Sequence, residues 1–220
     1  MKRILALAVL GTALIVGAQP AFASGTHTST FSSNTTWPTF TGVPTTGPLG
    51  HAQTVCLDAT APTSPANCPA GATDYGFGAG WPAPLGSIPH AFWIWAPGIT
   101  GATSPSELAQ YYFSKRIRIH GHIVSGRISI AADDFAEVWV NGTLAGTIGS
   151  TTDATAAFAA QSSLTTFDIK PFLHHGKNRI TVHAQNGVGA FSGCGPCTYQ
   201  QQPAGVVFGV KIRVRSHDED

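Results

Sequence analysis

Lysine and arginine are missing from residues 24–114, so that stretch offers no cation for nucleic acid or an anionic membrane. Charged residues make up only 10% of the chain, against roughly a quarter in ordinary soluble domains. Ser, Thr, Gly, Ala and Pro take their place, a composition suited to exported and surface-exposed chains. Long helical periodicity is missing too, which argues against a helical bundle. After the first residues no further long apolar run occurs, so a second membrane span is not expected. No spaced carboxylate pair, no Ser/His/Asp order with a nucleophile elbow and no complete metal-ligand set is legible. The expectation is therefore a protein that is not an enzyme.

What is present begins with an export pattern. Lys2 and Arg3 precede an apolar run, Ile4 to Val16, and Ala21-Phe22-Ala23 fits a small-residue cleavage site. Residues 1–23 read as a signal peptide, with the mature chain starting at Ser24. Removing them leaves ten basic against eleven acidic residues. Such a near-neutral chain is not expected to bind nucleic acid or insert into a membrane. The expected localisation is secreted, or extracellular at the cell surface.

Four organisational units follow: the signal peptide, a Ser/Thr/Pro/Gly-rich extension over 24–90, a β-domain over 91–215 and a polar tail over 216–220. Within 91–215 short alternating segments succeed one another. Gln110 to Ile119 alternates Ile117 and Ile119 with Arg116 and Arg118. Phe135, Glu137 and Trp139 alternate with Ala136, Val138 and Val140 up to Asn141-Gly142, the favoured pair for a tight hairpin turn. The last segment alternates Val206, Phe208, Val210, Ile212 and Val214 with Val207, Gly209, Lys211 and Arg213. This pattern predicts an all-β sandwich in which the second set faces outward.

Four pieces of this region carry a family likeness: Ala132-Asp133-Asp134, Val140-Asn141-Gly142, Phe167-Asp168-Ile169 and Gly176-Lys177-Asn178. With the aromatic strand Phe92 to Trp95 they resemble the galactose-binding-like jelly-roll β-sandwich, a module found beside glycoside hydrolases and on bacterial surfaces. The resemblance implies that fold, with a loop-rich N-terminal extension, and a non-catalytic binding or adhesion role toward a carbohydrate or cell-surface polymer. The alternatives are a self-assembling structural subunit of an extracellular matrix or filament, and, more remotely, an enzyme-associated or redox protein. The family's ligand residues sit in variable loops, so none transfers to a position here.

Candidate residues come from chemistry. Aromatics outside regular strands can stack on sugar faces, which selects Tyr75, Phe77, Trp81, Phe191 and Tyr199; Trp93, Trp95 and Trp139 read as core. The loop Gly187 to Gly205 is long for a sandwich connection, and such loops are where function concentrates. Asp133 and Asp134 sit at a strand-to-strand corner. Either they bind Ca²⁺ through hard oxygen ligands, as in calcium-dependent sugar-binding sandwiches they distantly resemble, or they accept backbone N–H bonds at a tight corner. No other cofactor is expected. His120, His122, His174 and His175 form two clusters, each short of a zinc ligand set. In an exported chain Cys56, Cys68, Cys194 and Cys197 are expected to be oxidised, as local bridges Cys56–Cys68 and Cys194–Cys197 or as a clamp between the two clusters. Cys194-Gly-Pro-Cys197 matches a redox tetrapeptide but lacks the βαβ setting of a dithiol oxidoreductase. Finally, Lys115, Arg116, Arg118, Lys211, Arg213 and Arg215 would form one basic face if the first long strand and the last were neighbours.

Overall fold

The computed structural model describes residues 25–45, 47–57, 69–77, 81 and 88–216. The proposed signal peptide, Cys68 and the end of the polar tail lie outside them. Thirteen strands occur among the described residues: β1 (Thr26–Ser32), β2 (Pro38–Phe40), β3 (Gly50–His51), β4 (Gln53–Cys56), β5 (Thr73–Asp74), β6 (Ile94–Trp95), β7 (Gln110–Ile119), β8 (His122–Asp133), β9 (Phe135–Val140), β10 (Thr143–Gly149), β11 (Thr165–Asp168), β12 (Gly176–Gln185) and β13 (Gly205–Arg215). They form two sheets. The first runs β11-β8-β13-β6-β4-β5, with β1 also paired to β13; the second runs β10-β9-β12-β7-β2-β3. The all-β sandwich expected from the sequence is the fold.

The alternation of apolar residues builds the core between the sheets. Val206, Phe208 and Val210 on β13 sit opposite Ala132, Ile130 and Ile128 on β8, and all six are essentially buried. From the second sheet Val138, Val140, Ile180, Val182 and Phe113 face them. The hairpin β9–β10 turns at Asn141 and Gly142, whose φ values of 53° and 84° supply the left-handed pair this turn requires. The loop-rich segment ahead of Ala91 is woven into both sheets: β1 lies along β13, and β2 pairs with β7. Trp37 is its anchor, fully buried edge-on against Phe208 at 4.8 Å.

Two expectations are corrected here. Val207 does not face solvent; it is fully buried like its neighbours on the other face of β13. The N-terminal segment covers that outer face: a side chain at Gly205 would meet Trp81 and Trp93, and one at Gly209 would meet Ile88. The single basic face also does not form, because β7 belongs to the second sheet and β13 to the first. Lys115 separates further, its ammonium lying 5.5 Å from the Trp37 ring centroid and donating to Thr36 Oγ1 at 3.0 Å.

Among the described residues one α-helix forms where the sequence showed no long helical period, α1 (Ala154–Ser162). Its sequence is rich in alanine, the strongest helix former. Asp153 caps it, Oδ1 accepting from Thr155 N at 2.9 Å and Ala156 N at 3.3 Å. Among the described residues no helix is long and apolar enough to cross a membrane.

Candidate functional site

The corner between the sheets organises the site. β8 ends at Asp133 in the first sheet and β9 begins at Phe135 in the second, so Asp134 alone makes the crossing, and the Asp133–Asp134 peptide is cis. Three connections converge on it. The backbone of Asp134 donates to Gln185 O and accepts from Ser150 N, while its Oδ2 accepts from Gly187 N at 2.8 Å. These bonds fix the corner against the end of β12 and the segment leading into α1. Gly187 has to be small: a Cβ there would lie 2.5 Å from the Phe191 ring and 2.6 Å from Asp134 Oδ2.

Asp133 points to the other neighbours. Its Oδ2 accepts the Trp81 indole N–H at 2.6 Å, and its Oδ1 accepts Gln161 Nε2 from α1 at 3.3 Å. Both aspartates are buried. Desolvation, reinforced by the charge of Asp134 beside it, holds the Asp133 carboxyl well above the ordinary carboxylate range. Burial raises Asp134 as well, opposed by hydrogen bonds that include the Gly187 N–H.

Above the pair opens a hollow of about 480 Å³, bordered by Phe77, Phe158, Gln161, Phe191 and Gln202. Asp133, Asp134 and Trp81 form part of its wall. Phe158 stands on the solvent side of α1 and is 61% exposed, while Phe77 and Phe191 are half-buried. The loop 187–205 contributes Phe191, Ser192, Gln202 and Pro203, and thus reaches the hollow as its length suggested. Apolar rings at the mouth and carboxyls and amides below suit a ligand that is apolar on one face and hydroxylated at its edges.

The structure brings together Phe77, Trp81, Phe191, Asp133 and Asp134 from the sequence-based set. Tyr75 and Tyr199 are placed elsewhere: both are 1% exposed, behind Trp81, and offer no ring face to a ligand. Tyr75 lies edge-on to Trp81 at 6.4 Å and against Tyr199 at 5.3 Å, and Tyr199 Oη accepts the Trp95 N–H at 3.0 Å. Burial pushes both phenols up from their ordinary value. Trp81 is equally inaccessible as a stacking platform, since its ring is already stacked on Trp93 at 4.4 Å. Tyr75, Trp81, Trp93 and Tyr199 lie in irregular segments, which usually means exposure; here the segments wrap the sandwich, and their rings make a second layer of core. Trp139 moves the other way, half-exposed where core was expected.

Sequence reasoning missed Phe158, Gln161 and Gln202. The signal for Phe158 and Gln161 was the Asp-capped alanine run, which sets the two residues on one side of α1 at a spacing of three.

Among the described residues no group of three or more His, Cys, Asp or Glu is placed to hold a metal ion, the histidine clusters included. At the Asp133–Asp134 corner the oxygens Oδ1 and Oδ2 of Asp133 both face N–H donors. Cys194 and Cys197 are joined by a disulfide. It staples the loop beneath Phe191, where Cys197 N donates to Glu107 Oε2 at 2.8 Å. Cys56 is buried, and its expected partner Cys68 lies outside the described residues.

No protein-family model and no curated protein matches the chain. Among solved structures it is similar to Streptomyces avermitilis α-L-rhamnosidase complexed with L-rhamnose, at 22% identity and a TM-score of 0.41, over 57% of this chain and 11% of that one. It is also similar to Dictyoglomus thermophilum β-D-glucuronidase, at 21% identity and a TM-score of 0.29, over 37% of this chain and 13% of that one. A β-glucuronidase of an uncultured Clostridium sp. gives 11% identity and a TM-score of 0.32, over 50% and 20% of the two chains. The chain thus spans a fifth or less of the length of each of these structures.

Proposed function

We propose that the chain is an exported, non-catalytic binding module of the galactose-binding-like kind, and that the loop-end hollow takes a carbohydrate. The observation that carries this reading is the arrangement of Phe77, Phe158 and Phe191 around a polar wall of Asp133, Asp134 and Gln161. A sugar ring presents C–H groups on one face and hydroxyls at its edge. Phenyl faces at the mouth suit the first; the carboxyl and amide groups of the wall supply hydrogen-bonding partners for the second. Export rests on the leader pattern and is supported by the Cys194–Cys197 disulfide.

A glycan-array screen of the mature chain, with and without Ca²⁺, is the test. Binding of one glycan class, weakened severalfold by Phe158→Ala and by Phe191→Ala with the fold intact, supports the reading. Dependence on added Ca²⁺ would bring the calcium role of Asp133 and Asp134 back into it. No glycan bound, together with large assemblies by light scattering of the whole chain, would favour the structural-subunit alternative.

A further inference from the structure

We propose that the outer face of the second sheet is a separate binding site for an acidic polysaccharide, one bearing carboxylate or sulfate groups. The register of β7 and β12 carries the argument. Arg179 sits directly opposite Arg116, and Lys177 directly opposite Arg118. Strand alternation sends all four to the same face, and Arg116, Arg118 and Lys177 are exposed. Like charges directly opposite one another destabilise a sheet. None of the four is held in an ion pair: among the described residues the one ion pair is His183 with Glu137. Four cations in two adjacent rows, none of them in an ion pair, call for an anionic partner.

The same face supplies the rest of a glycan site. In the rows beyond Arg179, Trp139 lies beside Thr181 and Ser114, and Glu137 beside His183 and Tyr112. Trp139 and Tyr112 are both half-exposed and border a hollow of about 520 Å³ together with Arg179, Glu137 and Thr181. A second hollow of about 700 Å³ is bordered by Arg179, Arg116 and Phe40. Arg179 stands between the two, one N–H group donating to Pro44 O at 2.7 Å. The guanidinium is thus held in place with further donors to offer, in the fork geometry that suits a carboxylate or sulfate. Glu137, the one anion bordering the first hollow, is engaged by Trp139 Nε1 and His183 Nδ1, each at 3.1 Å.

From the Thr181 row to the Lys177 row the face extends about 13 Å along the strands, which fits a polymer segment rather than one small anion. The near balance of ten basic and eleven acidic residues in the mature chain gives no general attraction for nucleic acid, so the selectivity comes from this face.

Isothermal titration of the whole mature chain with polygalacturonate, with neutral galactan and with duplex DNA tests the assignment. Polygalacturonate should bind, and raising salt from about 50 mM to about 500 mM should weaken it strongly. Arg116→Gln combined with Arg179→Gln should cost about tenfold or more in affinity, as loss of two charge-assisted contacts implies. Arg118→Gln with Lys177→Gln, both fully on the surface, gives a second reading should the first pair disturb the fold. Lys211→Gln with Arg213→Gln, the same charge change on β13 of the other sheet, should leave affinity within about twofold, as should Phe158→Ala. No binding of polygalacturonate by the folded chain would overturn the proposal. So would equal losses from the β13 pair, or DNA binding with the same dependence on Arg116 and Arg179. Because Phe158 lies in the loop-end hollow, failure of one site leaves the other measurable.

Discussion

The indole N–H of Trp81 donates to Asp133 Oδ2 at 2.6 Å across 52 positions of sequence. It joins the loop-rich segment to the corner where the two sheets meet. Trp81→Phe keeps an aromatic ring to stack on Trp93 but leaves a buried carboxyl without that donor. The expected loss is about 1–3 kcal/mol of unfolding free energy. In an Asp133→Asn background the same substitution should cost less, with a coupling of about 0.5–3 kcal/mol in a urea-denaturation double-mutant cycle. Strictly additive losses would show that the contact contributes nothing to stability.

The buried aspartates set the pH dependence of stability. Asp133 has an ordinary pKa of 3.8 when unfolded and a higher one when folded, through desolvation and then the charge of Asp134. As pH rises above 3.8, the unfolded chain releases this proton while the folded chain keeps it. The unfolded state then binds fewer protons, so stability falls with rising pH until the folded pKa is passed. One such proton changes stability by about 1.4 kcal/mol per pH unit inside that window. Thermal melting midpoints should therefore drop from mildly acidic toward neutral pH, and Asp133→Asn should flatten the slope. A stability that instead increases over that range in the wild type, unchanged by Asp133→Asn, would refute the account.

β13 is buried on both faces, so neither set of its side chains is expendable. Phe208→Ala removes the ring that Trp37 packs against and should cost about 3–5 kcal/mol. Val207→Ala, on the face covered by Trp81, Ile88 and Trp93, should cost about 1.5–3 kcal/mol. A Val207 loss near zero in a urea titration would mean that this cover is loose in solution.

The strands of 110–215 were legible because each carries a period of two that only a half-buried strand explains, as Ile117 and Ile119 against Arg116 and Arg118 show. The corner was legible from Asp133-Asp134 between two such runs, and the hairpin from Asn141-Gly142. Burial from outside was not. Val207, Tyr75, Trp81 and Tyr199 are covered by irregular chain whose path over the sandwich leaves no periodic trace in sequence. Sheet membership was likewise hidden: alternation tells which way Arg116 and Arg213 point on their own strands but not that the strands lie in different layers. The loop-end hollow was half readable, since Phe191 follows from loop length, whereas Phe158 needed the nine-residue helix α1, too short to show a period.

Gly187 and Gly142 separate packing at the site from backbone conformation elsewhere. At Gly187 an added methyl would meet the Phe191 ring at 2.5 Å and Asp134 Oδ2 at 2.6 Å, with no left-handed φ involved. Gly187→Ala should cost about 1–3 kcal/mol through overpacking and displace Phe191, weakening glycan binding at the hollow. Pairing it with Phe191→Leu should recover part of the stability but not the binding. At Gly142 the methyl would meet nothing within 4 Å, but φ is +84°. Gly142→Ala should cost about 1–2 kcal/mol through the backbone alone and leave glycan affinity at the loop-end hollow unchanged. Urea titration and glycan titration on the same samples check both. If Gly142→Ala and Gly187→Ala lowered affinity equally, the loss would reflect general loosening of the sandwich, and Gly187 would have no special place beside the hollow.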